Sequence, residues 1–276
     1  MQKLPEPFQR MTPRLKKLII PAVKLRLEPR ENGEPLKGKS WVGGTPLVPP
    51  GFAWPYSDGK PMVFVAQFNL AEIATDAALG LPKSGHLYFF YDSFSLGSDS
   101  PPAFVFHSTV AAEKLLPVAA PDDLPEEEQK PVSLMEHAPV LHLNWFLDDS
   151  VKPLTKKEKD LRTEYDAYRG GAPDHRLGGY NAMLYEMASG LEIQHLELED
   201  DMGWKGTPLD EIDDDMEVSE AFNKHAMANW SVLLQLDSDE DAGVVWADGG
   251  SLLFVIRNDE LKRSDFSRVG MEVMVS

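Results

Sequence analysis

Cysteine is absent from the 276-residue chain, so it forms no disulfide, offers no thiolate nucleophile and builds no cysteine zinc site. Long apolar runs are missing too. The longest near the start, Leu18 to Val23, is interrupted by Pro21 and falls far short of a signal core or a membrane span, so a cytoplasmic protein with no membrane partner is expected. Positive charge is scarce: 27 Lys and Arg face 45 Asp and Glu, a formal net charge of −18. A body this acidic repels phosphate backbones and attracts basic proteins, which argues for a basic protein partner and against nucleic acid. The common catalytic signatures are lacking as well. None of the seven histidines (His86, His107, His137, His142, His175, His195 and His225) falls in His-Glu-x-x-His, and there is no Gly-x-Ser-x-Gly elbow. No metal, cofactor or catalytic residue is assigned on these grounds.

What is present is a β-rich pattern. The stretch Trp230 to Leu261 alternates apolar and polar positions, turns through an acidic loop and a Gly-Gly pair, and ends in the apolar run Leu252 to Ile256. Alternation of this kind predicts antiparallel strands with Val232, Leu234 and Leu236 on one face. Much of it recurs earlier in the chain. Aligning Gln67 with Gln235 matches the flanking strand residues, aligning Gly85 with Gly250 matches H-L-Y-F-F-Y with S-L-L-F-V-I, and Gly43-Gly44 echoes Gly178-Gly179. The expectation is an α+β protein: two related β-rich halves, an internal duplication with antiparallel sheets and a few helices, forming one compact body.

The division follows composition. Residues 1–40 form a basic N-terminal segment with ten Lys and Arg against four Asp and Glu, residues 41–150 the first half, and residues 151–276 the second. Residues 121–133 read as a solvated linker, and Thr155 with Glu158 three positions on predicts a capped helix ending at Gly170-Gly171. An acidic insert at 192–220 carries twelve Asp and Glu against Lys205 alone. Its candidate partner-binding residues are Asp200, Asp201, Trp204, Asp210, Glu211, Asp213, Asp214, Asp215 and Glu217.

Three local patterns invite sharper chemistry. Residues 33–40, G-E-P-L-K-G-K-S, spell a phosphate loop, but neither a buried strand before them nor a helix after them is predicted, so no nucleotide is expected. Asp237, Asp239, Asp241 and Asp248 share the spacing of calcium-loop ligands, yet Ala242 stands where glycine is required, so an acidic hairpin turn is expected. Trp54, His175 and Trp246 could line a ligand cleft between the halves, in an enzyme or small-ligand-binding protein. That is the alternative to a binding protein, and core packing is the competing account of the aromatics.

The series G-G-T-P-L-V-P-P-G-F-A-W-P (43–55), V-A-Q-F-N-L (65–70), L-P-K-S-G-H-L-Y-F-F-Y-D (81–92), H-R-L-G-G-Y (175–180), L-L-Q-L-D-S-D (233–239) and W-A-D-G-G-S-L-L-F-V-I (246–256) resembles the YwqG-like family, a bacterial domain of unknown function. Asn181 and Tyr185 depart from its pattern of Pro and Gln. The resemblance supplies no active site to carry over. It implies a setting in bacterial toxin loci, in which some members look like immunity proteins that neutralise a neighbouring toxin by binding it.

Overall fold

The computed structural model describes residues 6–30, 37–73, 79–95, 102–144, 155–198 and 226–274. Two short helices, α1 (Glu6–Gln9) and α2 (Pro13–Lys16), lead into β1 (Ile19–Pro29). There follow β2 (Trp41–Val42), β3 (Leu47–Val48), β4 (Tyr56–Ser57), β5 (Lys60–Pro61), β6 (Val63–Asn69), β7 (His86–Tyr91), β8 (Ala103–Ser108), β9 (Leu116–Pro117) and β10 (Ser133–Leu143). After α3 (Lys156–Arg169) come β11 (Arg176–Gly178), α4 (Met183–Leu198), β12 (Trp230–Asp237), β13 (Ser251–Arg257), a short α5 (Asn258–Arg263) and β14 (Gly270–Met274). Ten strands form one antiparallel sheet in the order β14-β13-β12-β11-β1-β10-β2-β6-β7-β8.

The basic N-terminal segment supplies the middle of this sheet. β1 pairs with β10 along eleven residues, from Ile19↔Leu143 to Pro29↔Ser133. Each strand contains an internal proline, Pro21 and Pro139, which normally argues against a central position. The bonding pattern explains the tolerance. The N–H of Leu25 donates to the carbonyl of His175 and that of Gly179 to Pro21, so the odd residues of β1 turn their backbone toward β11. Pro21 therefore lacks an N–H only on that side, where β11 pairs no further than Ala22. Pro139 has the matching position: the N–H of Met135 faces Ser40, and β2 pairs only with Ser133 and Leu134.

The linker expected at 121–133 is only partly solvated. Leu124 and Val132 are buried, and the buried Ser133 hydroxyl donates to the carbonyl of Ala242 at 3.0 Å. Composition hid this because its few apolar side chains are set among prolines and charges.

Phe89 of β7 and Phe254 of β13 meet edge to face with centroids 5.1 Å apart. Those strands stand seven places apart in the sheet, about 34 Å if it were flat, so the sheet folds back on itself. The interior it encloses is one apolar core contributed by both ends, including Phe68, Phe89, Leu234, Trp246, Leu252 and Phe254. The outer face of β6 and β7 is covered by a second cluster with Trp41, Val48, Phe64 and Phe90, and that of β12 and β13 by α4. Strands covered on both faces are buried almost throughout, as β6, β7, β12 and β13 are.

The shared face expected for Val232, Leu234 and Leu236 is therefore corrected. A bulge between Val232 and Leu234 rotates the strand, so Val232 packs beneath α4 while Leu233, Leu234 and Leu236 enter the shared core. β6 carries its bulge between Phe64 and Ala66, with the same consequence. The two hairpins keep one register: Gln67 opposes Tyr88 as Gln235 opposes Leu253, and Trp41 opposes Gln67 as Arg176 opposes Gln235.

Thr155 caps α3 as its T-x-x-E signature requires: its hydroxyl accepts from the N–H of Glu158, whose carboxylate accepts from the N–H of Thr155 at 3.0 Å. Leu161 and Tyr165 of α3 pack on Phe8, Leu15 and Leu143, which closes the chain start over the end of β10.

Candidate functional site

The acidic segment leaves the sheet from a defined foot. Its first member, Glu192 on α4, is only 1% exposed and belongs to no acidic surface. Its carboxylate accepts from Trp230 Nε1 at 2.8 Å, from Asn229 Nδ2 at 3.0 Å and from Arg257 Nη1 at 2.9 and 3.0 Å. Arg257 Nε reaches Asp259 at 3.0 Å, and Arg263 reaches the other oxygen of that carboxylate. Burial alone would raise the Asp259 pKa, but the two guanidinium groups outweigh it and hold the group at about 2. One buried carboxylate thus ties α4 to the start of β12 and the end of β13. The candidate residues Asp200, Asp201, Trp204, Asp210, Glu211, Asp213, Asp214, Asp215 and Glu217 lie outside the described residues.

A second polar constellation surrounds the start of β11. His175 is 1% exposed, and its Nε2 lies 3.2 Å from Asp239 Oδ2. The equally buried Arg176 pairs with Asp174 and donates through Nη2 to the carbonyl of Tyr180 at 2.7 Å. Asp237 accepts from the N–H of Asp174 at 2.7 Å and from Gln235 Nε2 at 2.8 Å. Burial pushes its carboxyl up, but these donors prevail and leave its pKa below the ordinary value. Asn181, a departure from the resembled pattern, donates to Gln235 Oε1 at 2.6 Å, while in the first half Gln67 Oε1 accepts from the N–H of Leu47. These bonds brace the turns between strands, while His175 Nδ1 and Gln67 Nε2 are buried without a hydrogen-bond partner among the described residues.

The aspartates at calcium-loop spacing are used the same way. Asp239 Oδ1 accepts from the N–H of Ala242, and Asp239 and Val244 close a tight bridge, so an acidic hairpin turn is what forms. Among the described residues no group of three or more His, Asp or Glu is placed to hold a metal ion. After the phosphate-loop letters the chain enters strand β2 rather than a helix, and Lys39 is held by Glu72 at 2.6 Å. Residues 33–36 of that pattern lie outside the described residues.

Of the three cleft candidates, Trp246 is fully buried in the shared core with its ring edge-on to Tyr91, and its backbone N–H donates to the Ser238 hydroxyl. His175 joins the same turn system through Asp239, whereas half-buried Trp54 donates from Nε1 to the carbonyl of Met62 in the first half. None of them is among the residues that line a pocket beside β12. That pocket, of about 210 Å³, opens behind Gly178-Gly179 among residues of β1, α4, β12 and α5. Nothing in the pattern of letters marks it, because Ile20, Leu79, Leu184, Met227 and Val232 read as core residues and meet only in the folded chain.

The family model described as domain of unknown function DUF1963 matches residues 40–273. The chain belongs to this family. The DUF1963 stretch contains the His175 constellation and the Glu192 clamp but begins after β1, although β1 is bonded on both sides within the sheet. No curated protein matches the chain. Among the described residues no helix is long and apolar enough to cross a membrane.

Proposed function

We propose that this chain is a non-enzymatic binding protein whose acidic segment captures a basic protein, and that the partner is a bacterial toxin domain such as a nuclease, blocked at its cationic substrate face. The observation that carries the reading is the clamp at the foot of the segment. Through Glu192, Asn229 and Trp230 the two described ends of the acidic stretch meet at one point of the sheet. Closing a segment in advance reduces the entropy lost when it is ordered by a partner. A net charge of −18 steers a cationic partner toward such a body.

An immunity protein of the YwqG-like kind, acting in the bacterial cytoplasm, is the setting this reading implies. The common register and bulge position of the two hairpins support the further reading that the halves are copies of one β unit. The acidic segment is then an insertion between β11 and β12, where the first half has the shorter connection from β2 to β6.

The test is surface-capture kinetics against a basic toxin domain encoded beside the gene for this chain, at two salt concentrations. Neutralising Asp213, Asp214, Asp215 and Glu217 together should slow association at low salt, since screening at 0.15 M confines the field to roughly 8 Å. Trp204→Ala should speed dissociation. Association indifferent to both salt and the fourfold neutralisation would remove the segment from recognition.

A further inference from the structure

The pocket behind Gly178-Gly179 has a chemistry of its own, independent of the acidic segment. Its apolar wall is formed by Ile20, Leu79, Leu184, Met227 and Val232, with Trp230 beside them. The Trp230 N–H is already committed to Glu192, so that side chain can offer a ligand its ring but no donor. The polar side chains of the lining are Asn144, Ser231 and Asn258, of which Ser231 and Asn258 are bonded to one another. Ser231 Oγ donates to Asn258 Oδ1 at 2.6 Å, and Asn258 Nδ2 donates to the carbonyl of Ala228 at 2.8 Å. The hydroxyl proton of Ser231 and one of the two Asn258 amide hydrogens are thereby spent, and the pair retains lone pairs on Ser231 Oγ and Asn258 Oδ1 beside the second amide hydrogen. No Asp, Glu, Lys, Arg or His lines the space.

The matching place in the first half is built from larger side chains. By strand register Val232 of β12 corresponds to Phe64 of β6, and Ala22 of β1 corresponds to Val132 ahead of β10. Val132 is so close to Gly44 that a Cβ there would lie 2.1 Å from its methyl, whereas Gly179 is backed by the smaller Ala22 and by His142. One reduction in side-chain volume, Val232 for Phe64, faces the space itself, and the other, Ala22 for Val132, lies behind the lining residue Gly179.

We propose that this pocket binds a small, uncharged, amphipathic molecule of about one substituted ring, which donates a hydroxyl or N–H hydrogen bond to the Ser231–Asn258 pair. The size follows from volume: a cavity of about 150 Å³ admits benzene, and this pocket of about 210 Å³ leaves room for a short polar substituent. Neutrality follows from the lining, because an ion would lose its hydration with no counter-charge in return.

The probes are phenol, anisole, benzoate and benzylamine, titrated into the full chain and followed by amide NMR. Phenol should bind at millimolar or lower concentration and shift Gly178, Gly179, Ser231 and Asn258. Anisole, which cannot donate, should bind roughly three- to tenfold more weakly, the value of one net hydrogen bond, and the two ions should not bind. Val232→Phe, which gives β12 the side chain β6 has at that register, should abolish phenol binding. Ser231→Ala, a variant expected to leave the core intact, should erase the preference for phenol over anisole. The proposal is overturned if phenol leaves those resonances unmoved, binds folded Val232→Phe as well as the parent, or is matched by anisole or benzoate in the parent.

Discussion

Replacing Glu192 with alanine should be among the most damaging single changes outside the apolar core, and the structure sets the scale. Glu192 accepts four hydrogen bonds from three side chains, two of them from a guanidinium that is itself only 15% exposed. Removing one partner of a buried ion pair costs about 3–5 kcal/mol, and a buried donor left without an acceptor costs about 1–3 kcal/mol. These contributions overlap, and Arg257 keeps Asp259 at 3.0 Å, so the lower end applies. A loss of about 3–4 kcal/mol is expected, or about 1 M in the urea midpoint for a slope near 3 kcal/mol per M. Glu192→Gln keeps an acceptor for Trp230 Nε1 and should lose about half as much. Arg257→Met in the Glu192→Met background should cost far less than in the parent, since the double change removes both charges together. The assay is urea unfolding followed by circular dichroism across the four-member cycle. Additive effects, or a Glu192→Ala midpoint close to the parent, would refute the view that this carboxylate ties α4 to β12 and β13.

Two other outcomes follow from side chains and turns elsewhere in the molecule. His86 is 3% exposed with no partner for either ring nitrogen among the described residues, and burial first, then His107, holds its pKa below the ordinary value. The unfolded chain then binds a proton that the folded one refuses, so stability should be complete above about pH 6.5 and fall as pH drops below it, a slope that His86→Phe should reduce in urea midpoints. Gly44 and Gly51 both have positive φ, but a Cβ at Gly44 would lie 2.1 Å from Val132 and one at Gly51 would meet nothing within 4 Å. Gly51→Ala should therefore lose only about 1–2 kcal/mol in thermal unfolding and Gly44→Ala markedly more, and equal losses would contradict the packing.

Much of the sheet was legible because its residues obey local rules. The glycine pairs, the interrupting glutamines and the turn at Gly249-Gly250 all mark places where the chain must do one thing, and the structure uses them at matching register positions. The capping box at Thr155 was legible for the same reason. What was hidden depends on partners distant in sequence. β10 carries Glu136, His137 and Pro139 and has no alternation to betray it; it is a strand because β1 pairs with it along its whole length. The bulges at Val65 and Leu233 were equally invisible, since each is one ordinary apolar residue inside an apolar run.

The candidate sites divide along the same line, and the division bears on where function can lie. Charge is a property of composition, so an acidic segment can be read without a fold, and its patterning set the expectation of a basic partner. Burial is not. His175 and Trp246 stood out by letter, yet the one pairs with Asp239 and the other lies in the shared core, roles that a histidine and a tryptophan fill in many interiors. Glu192 counted among the belt's carboxylates until the fold turned it inward onto Arg257, where it fixes the belt's foot instead of its surface. The pocket shows the converse: side chains that sequence assigns to the core leave a space where Val232 stands at the register position of Phe64 in the first half. A buried ion pair ties the foot of the acidic segment to the outer side of β12, and a pocket without charged lining opens at the start of the same strand, so the two proposed binding chemistries meet within one connection. Trp230 belongs to both, since its N–H is bound by the clamp and its side chain stands among the pocket residues. Occupancy of the pocket should therefore change the fluorescence of Trp230 and protect the helix that Glu192 anchors. Hydrogen exchange at α4 with and without phenol would measure that coupling, and unchanged exchange at saturation would show that the two chemistries are separate.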